Sequence, residues 1–189
     1  MDSESKAVQF IKDVVSTLII VAVVIGGGIA ITGTWPFMVA VESGSMEPNL
    51  YPGDVVLLLS PSRAGGIVTW EKGVESGYMS FGNYGDVIVY KPNGYGKPII
   101  HRVIAYVHKG EPIPAVINGK LVYTNQIAEN DGYITQGDNV KTNRLPDQAV
   151  PGAFSPLGER IKPVKEEWII GVAKFRIPII GYLRLLIPI

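Results

Sequence analysis

Val14–Ile31 reads VVSTLIIVAVVIGGGIAI, and no charged residue occurs from Val14 to Val41. A helix needs about 20 mainly apolar residues to cross a bilayer, and this run with its flank supplies them. A cleavable leader has an apolar core of only about 7–15 residues before a small-residue exit site. This run is longer and passes into Trp35-Pro36-Phe37, rings suited to a membrane interface. The sequence therefore divides into a tail over 1–13, a transmembrane anchor over 14–35 and a domain over 36–189. Gly26-Gly27-Gly28 inside the anchor reads either as a helix-packing face or as a slack point.

Lys6 and Lys12 precede the anchor, whereas the first cation beyond it is Arg63. By the bias of lysine and arginine toward the cytoplasmic side, the N-terminus is expected inside the cell. The 36–189 domain is then expected outside the cytoplasm, tethered to a cell membrane by a single pass.

Beyond the anchor the pattern changes to short β-branched runs behind turn pairs. Gly53-Asp54 opens VVLLL, Gly85-Asp86 opens VIVY, and Lys97-Pro98 opens IIHRVIAYV. Further strands are expected at 115–117, 120–124, 133–135 and 168–175. Asn118-Gly119 is a hairpin turn signal. The stretch from Arg63 to Tyr84 reads as a long excursion between two strands. The expectation is a mainly β fold: one transmembrane helix, then an all-β domain of a size that supports one core. Seventeen basic residues balance seventeen acidic ones, which argues against a nucleic-acid partner. The absence of cysteine excludes disulfides and thiolate zinc sites. No metal or other cofactor is expected.

Ser43-Gly44-Ser45-Met46-Glu47-Pro48 follows the anchor closely. A small hydroxyl-rich turn closed by proline can present a serine oxygen to a reactant near a lipid surface. The chain has two histidines, His101 and His108. Strand alternation puts Ile99, His101, Val103 and Ala105 on one face and Ile100, Arg102, Ile104, Tyr106 and His108 on the other. The histidines are thus not expected to share a metal. A lone histidine on an apolar face is commonly a core residue; a serine nucleophile, however, needs a base and a group that orients it. His101 with Asp54, Asp86, Asp138 or Asp147 could complete such a set. Aspartate after glycine is also an ordinary turn residue, and Lys91 or Lys97 is an alternative base. A non-catalytic tethered β module is a reading of another class, but it needs neither the serine turn nor His101.

Taken in order, SGSMEPNLYPGDVVLL, GDVIVYKP, IIHRVI and TQGDNVKTNRLPDQ closely resemble the type I signal peptidases. The ending PVKEEWIIGVAKFRIPIIGYL fits as well. Histidine at position 101, where bacterial members carry lysine, places the resemblance with the archaeal and endoplasmic-reticulum type. The resemblance implies a membrane-anchored serine endopeptidase that removes signal peptides from exported preproteins, cutting after small residues near the membrane surface. It implies Ser45 as nucleophile, His101 as base, Asp147 and Asp138 at the two acidic positions, and Ser43 with the Ser45 backbone as oxyanion donors. The interval between the aspartates is longer here, by Lys141–Leu145. Asp147 is favoured to orient His101, with Asp138 as a structural or electrostatic neighbour. Implied partners are signal peptides, the bilayer and the protein-export machinery. Residues 177–189, too short to span, are expected to lie against the membrane beside Trp35 and Phe37.

Overall fold

Val87–Tyr90 (β5) is buried at every position, and the rest of the domain is arranged around it. The computed structural model describes residues 2–150 and 158–178. A six-stranded antiparallel sheet has the order β1 (Met38–Ala40), β2 (Val55–Leu59), β10 (Ile169–Ile177), β5, β6 (Ile99–Val107), β9 (Gly132–Gln136). The run VIVY has no polar alternation because both faces of β5 are covered. Val87 and Val89 pack with Val56, Leu58, Met46 and Leu50 on one face. Ile88 and Tyr90 pack with Val103, Ile161, Val164 and Val172 on the other. A third cluster gathers Trp70, Ile104, Val107, Ile113 and Ile134.

Two hairpins and two helices complete the described chain. The hairpin of β7 (Pro112–Ile117) and β8 (Lys120–Ile127) turns through Asn118 and Gly119, at φ +52° and +70°. Two successive left-handed residues make the turn that matches strand twist, as the Asn-Gly pair predicts. The expected strand at 168–175 is displaced to Ile169–Ile177, because Glu166–Trp168 forms a 3-10 turn. The 63–84 excursion is more ordered than its composition suggests. It contains α2 (Trp70–Ser76), closed at its start by Thr69, whose Oγ1 accepts from Lys72 N (3.2 Å), and at its end by Gly77 at φ +77°. A small hairpin of β3 (Met79–Ser80) and β4 (Asn83–Tyr84) follows.

α1 (Asp2–Thr32) is one continuous helix of 31 residues, so residues 2–13 are helical too. Its portion Lys6–Thr32 is long and apolar enough to cross a membrane, and an 18-residue window within it has a mean hydropathy of 2.7. The glycine triplet divides in use. Phe37 folds back against Gly28, where a Cβ would meet its ring at 2.5 Å, while a Cβ at Gly26 or Gly27 would meet nothing within 4 Å. From residue 179 onward, the segment expected against the membrane lies outside the described residues.

Strand alternation holds in β6 from Ile99 to Ile104 and then shifts phase at a bulge between Val103 and Ala105. Ile104 and Val107, three residues apart, therefore share a cluster. The bulge corrects one expectation. Tyr106 meets both His108 and Tyr133 edge to face, and Tyr133 packs with the Ile88–Tyr90 cluster. His108 thus returns to the side of the sheet that carries His101. It stays apart from it nonetheless, exposed and paired with Asp131.

Thr69→Ala removes the cap of α2 and leaves the Lys72 N–H without its acceptor. The expected loss is about 1 kcal/mol of stability, read as a lowered urea midpoint with the β-sheet circular dichroism unchanged.

Candidate active site

The serine turn is held from two sides. Met46 and Leu50, both fully buried, anchor it in the core. Gly44–Met46 forms a single 3-10 turn that packs on β6. From the opposite side, Asn139 donates its backbone N–H to Ser45 O (2.9 Å) and its Nδ2 to Gly44 O (2.8 Å). The loop can come this close because residue 137 is glycine. A Cβ there would lie 2.6 Å from Ser45 O and 2.6 Å from Asn143 Cγ. Ser45 is half-buried and Ser43 exposed, and the Ser43 hydroxyl donates to Ser45 Oγ at 3.3 Å.

His101 is 2% exposed and Asp147 1%. Imidazole Nδ1 lies 2.7 Å from Asp147 Oδ2. Asp147 opens a 3-10 turn, Asp147–Ala149, seated against β9. Gln148 fixes that turn to Thr135 twice, accepting from its N–H at 3.0 Å and donating to its Oγ1 at 3.1 Å. Two more hydroxyls reach the same carboxylate oxygen, Tyr90 at 2.8 Å and Thr135 at 2.7 Å. Burial, and then the Asp147 charge beside it, push the Tyr90 hydroxyl well above its ordinary pKa, so it remains a donor. With Asp147 accepting at Nδ1, the imidazole places its proton there and keeps Nε2 as an acceptor.

Asp138 serves the opposite face of β6. Arg102 grips it in two parallel bonds, Nε to Oδ1 at 2.7 Å and Nη2 to Oδ2 at 2.6 Å, and Asn49 Nδ2 donates to Oδ2 at 2.8 Å. Arg102 Nη1 also donates to the carbonyls of Ser80 (2.9 Å) and Gly85 (2.7 Å). Such a fork-to-carboxylate pair is the strong form of an ion pair. The other two aspartates of the Gly-Asp pairs are occupied locally or structurally. Asp54 accepts the Tyr51 N–H within its own turn. Asp86, fully buried, binds Val68 N, Tyr78 OH and Lys174 Nζ.

The structure thus brings His101 and Asp147 into contact, seats the Ser45 turn on the strand that carries His101, and puts Asp138 on Arg102. Among the described residues, Ser45 Oγ bonds Ser43 and not the imidazole. Hydrogen bonds to a nucleophile are often loose until a substrate is bound. Lys97 is 76% exposed and paired with Glu42, away from the buried His101–Asp147 pair. No group of three or more His, Asp or Glu among the described residues is placed to hold a metal. Arg102, Tyr90, Thr135, Gln148 and Asn139 build the site without having been singled out as site residues. Three of them stand beside residues that were: Arg102 follows His101, Asn139 follows Asp138 and Gln148 follows Asp147.

Residues 10–154 match the family described as signal peptidase, peptidase S26. Among curated relatives, the signal peptidase complex catalytic subunit SEC11 of Yarrowia lipolytica is 29% identical over 150 residues, covering 79% of this chain and 62% of the relative. That of Schizophyllum commune is 32% identical over 155 residues, covering 80% and 65%. That of Eremothecium gossypii is 29% identical over 157 residues, covering 83% and 69%. The chain spans less than two thirds of the length of the first two.

Arg102→Leu strands a buried Asp138 charge, and breaking a buried pair from one side costs about 3–5 kcal/mol. The expected result is a protein that unfolds at markedly lower denaturant. Gly137→Ala is expected to push the loop off Ser45 and to lower stability by about 1–3 kcal/mol, read in the same titration.

Proposed function

Because the chain belongs to the signal peptidase family, peptidase S26, we propose that it is a membrane-anchored serine endopeptidase that removes signal peptides from exported preproteins. The observation that carries this reading is the buried 2.7 Å contact between His101 Nδ1 and Asp147 Oδ2, on the strand against which the Ser45 turn packs. A core histidine needs a partner for its ring, but it does not need a buried carboxylate with a serine turn seated beside it.

In the proposed reaction Ser45 Oγ attacks the scissile carbonyl while His101 Nε2 takes its proton. Asp147 holds the imidazole in the required tautomer and stabilises the imidazolium. The Ser45 N–H and the Ser43 hydroxyl, 3.3 Å from the attacking oxygen, receive the oxyanion. Each such donor is worth roughly 3–4 kcal/mol in the barrier. His101 then returns its proton to the leaving amine, and water releases the acyl group from Ser45. Asp138 contributes by fixing, through Arg102 and Asn49, the loop that supports the serine turn.

The proposed substrates present small residues before the cut, close to the membrane. α1 crosses that membrane with its N-terminus in the cytoplasm and the β domain outside it. This orientation is supported by Lys6 and Lys12 on one side and by the lack of any cation before Arg63 on the other. Association with the protein-export machinery belongs to the same reading, since the relatives are named as subunits of a complex.

The test is cleavage of a preprotein by the full chain in detergent, with the new N-terminus sequenced. Ser45→Ala and His101→Ala are each expected to lose on the order of 10³-fold or more in rate, Ser45→Ala while remaining folded. Lys97→Ala is expected to keep its activity. Near-normal cleavage by Ser45→Ala overturns the assignment, and dependence on Lys97 in place of His101 selects a serine–lysine mechanism.

A further inference from the structure

We propose that Tyr90 and Thr135 are positioning residues, which set the strength with which Asp147 draws the proton of His101. The inference rests on the peptidase reading above and deepens it. Register is its first support. Ile88 stands opposite His101 and Val103 opposite Thr135. Tyr90 and Thr135 are therefore the two diagonal neighbours of His101, one on each flanking strand, and all three side chains share one face. Asp147 is laid across them by its 3-10 turn.

Proton bookkeeping gives the second support. Thr135 Oγ1 lies 2.7 Å from Asp147 Oδ2 and 3.0 Å from Tyr90 OH, and it has one proton to give. The shorter contact and the carboxylate charge direct that proton to Asp147. The lone pairs of Thr135 Oγ1 are then open to Gln148 Nε2, which donates at 3.1 Å. Tyr90 gives its own proton to Oδ2 at 2.8 Å. One oxygen thus receives three donors: two hydroxyls and the imidazole. Among the described residues, Tyr90 and His101 are the titratable side chains in contact with this carboxylate.

Hydrogen bonds to a carboxylate stabilise its charged form and make it a weaker base. The two hydroxyls share the charge that Nδ1 would otherwise take alone. This leaves the imidazole oriented but not overstabilised as imidazolium, so it can both accept and return a proton. Tyr90→Phe or Thr135→Val takes one hydroxyl away. Asp147 then pulls harder on Nδ1, and its angle to the ring is less constrained.

The experiment uses the full chain in detergent, with Tyr90→Phe, Thr135→Val and Thr135→Ser. Preprotein cleavage is measured as a function of pH, and the Nδ1 proton and nitrogen of ¹⁵N-labelled histidine by NMR. The expected result for the first two is a fall in kcat of about ten- to a hundredfold, from the loss of one hydrogen bond to a charged group, with KM little changed. The acidic limb of the pH–rate profile should move to higher pH and the Nδ1 resonance should shift. Thr135→Ser keeps the hydroxyl and should restore both. A purely structural role would lower activity in proportion to the folded fraction without moving either signal. That outcome overturns the proposal. Should Tyr90→Phe fail to fold, the Thr135→Val and Thr135→Ser pair decides. Should the wild-type chain cleave nothing while the resonance still moves with these substitutions, the peptidase reading falls and the positioning stands.

Discussion

A guanidinium that is 99% buried has to be answered by the protein, and Arg102, at 1% exposure, sets the condition on which the site is built. Its donors are turned inward, and no water-facing surface remains to relieve them. Asp138 supplies the counter-charge in two parallel bonds, and carbonyls of the 79–85 segment take up Nη1. This gathers three segments distant in sequence: the excursion hairpin, β6 and the loop after β9. Through Asn49 on Asp138 and Asn139 on Gly44 and Ser45, the same loop is bound to the serine turn. A buried ion pair is weak evidence of net stability. Here its effect is geometric, because the loop cannot leave Arg102 without exposing a charge to an apolar interior.

β6 divides the chemistry between its faces. His101 and Arg102 are adjacent, so alternation directs them to opposite sides. Each meets its own aspartate: Asp147 on the side of Ile88 and Tyr90, Asp138 on the side of the excursion. The two acidic groups that follow β9 are therefore not interchangeable. The strand keeps them apart, and the chain from Asp138 to Asp147 passes from one face to the other.

That division was legible in part. The runs after Gly53-Asp54, Gly85-Asp86 and Lys97-Pro98 declared β2, β5 and β6, since turn residues bounded β-branched stretches. β1 is three residues long and α2 seven, too short for periodicity to register; Trp70 packing edge-on to Tyr84 holds α2 in place through a tertiary contact. The opposite parity of His101 and Arg102 was legible in the sequence. Asp147 was favoured for His101 only through the resemblance, and the Asp138–Arg102 pair was not foreseen, because both depend on a loop path that composition does not encode. Tyr90 and Thr135 were hidden for another reason. In sequence each is an ordinary strand residue, and only pairing register makes them diagonal neighbours of a histidine.

The joint between helix and sheet fixes where this site stands relative to α1. Thr32 O accepts from Ser60 N at 2.8 Å, and Thr34 Oγ1 donates to Ile170 O at 2.5 Å. Phe37 O accepts from Leu58 N at 2.8 Å while its ring closes on Gly28. Backbone and side chain thus attach the end of the helix to β2 and β10 within a few residues. The chain then needs only β1 to reach the serine turn. A tether of this kind differs from a flexible linker, which would raise local concentration without orienting anything. Under the proposed function it would hold Ser45 at one height above the bilayer. Substrate choice would then depend on how far beyond the membrane a scissile bond emerges, as well as on the side chains that flank it.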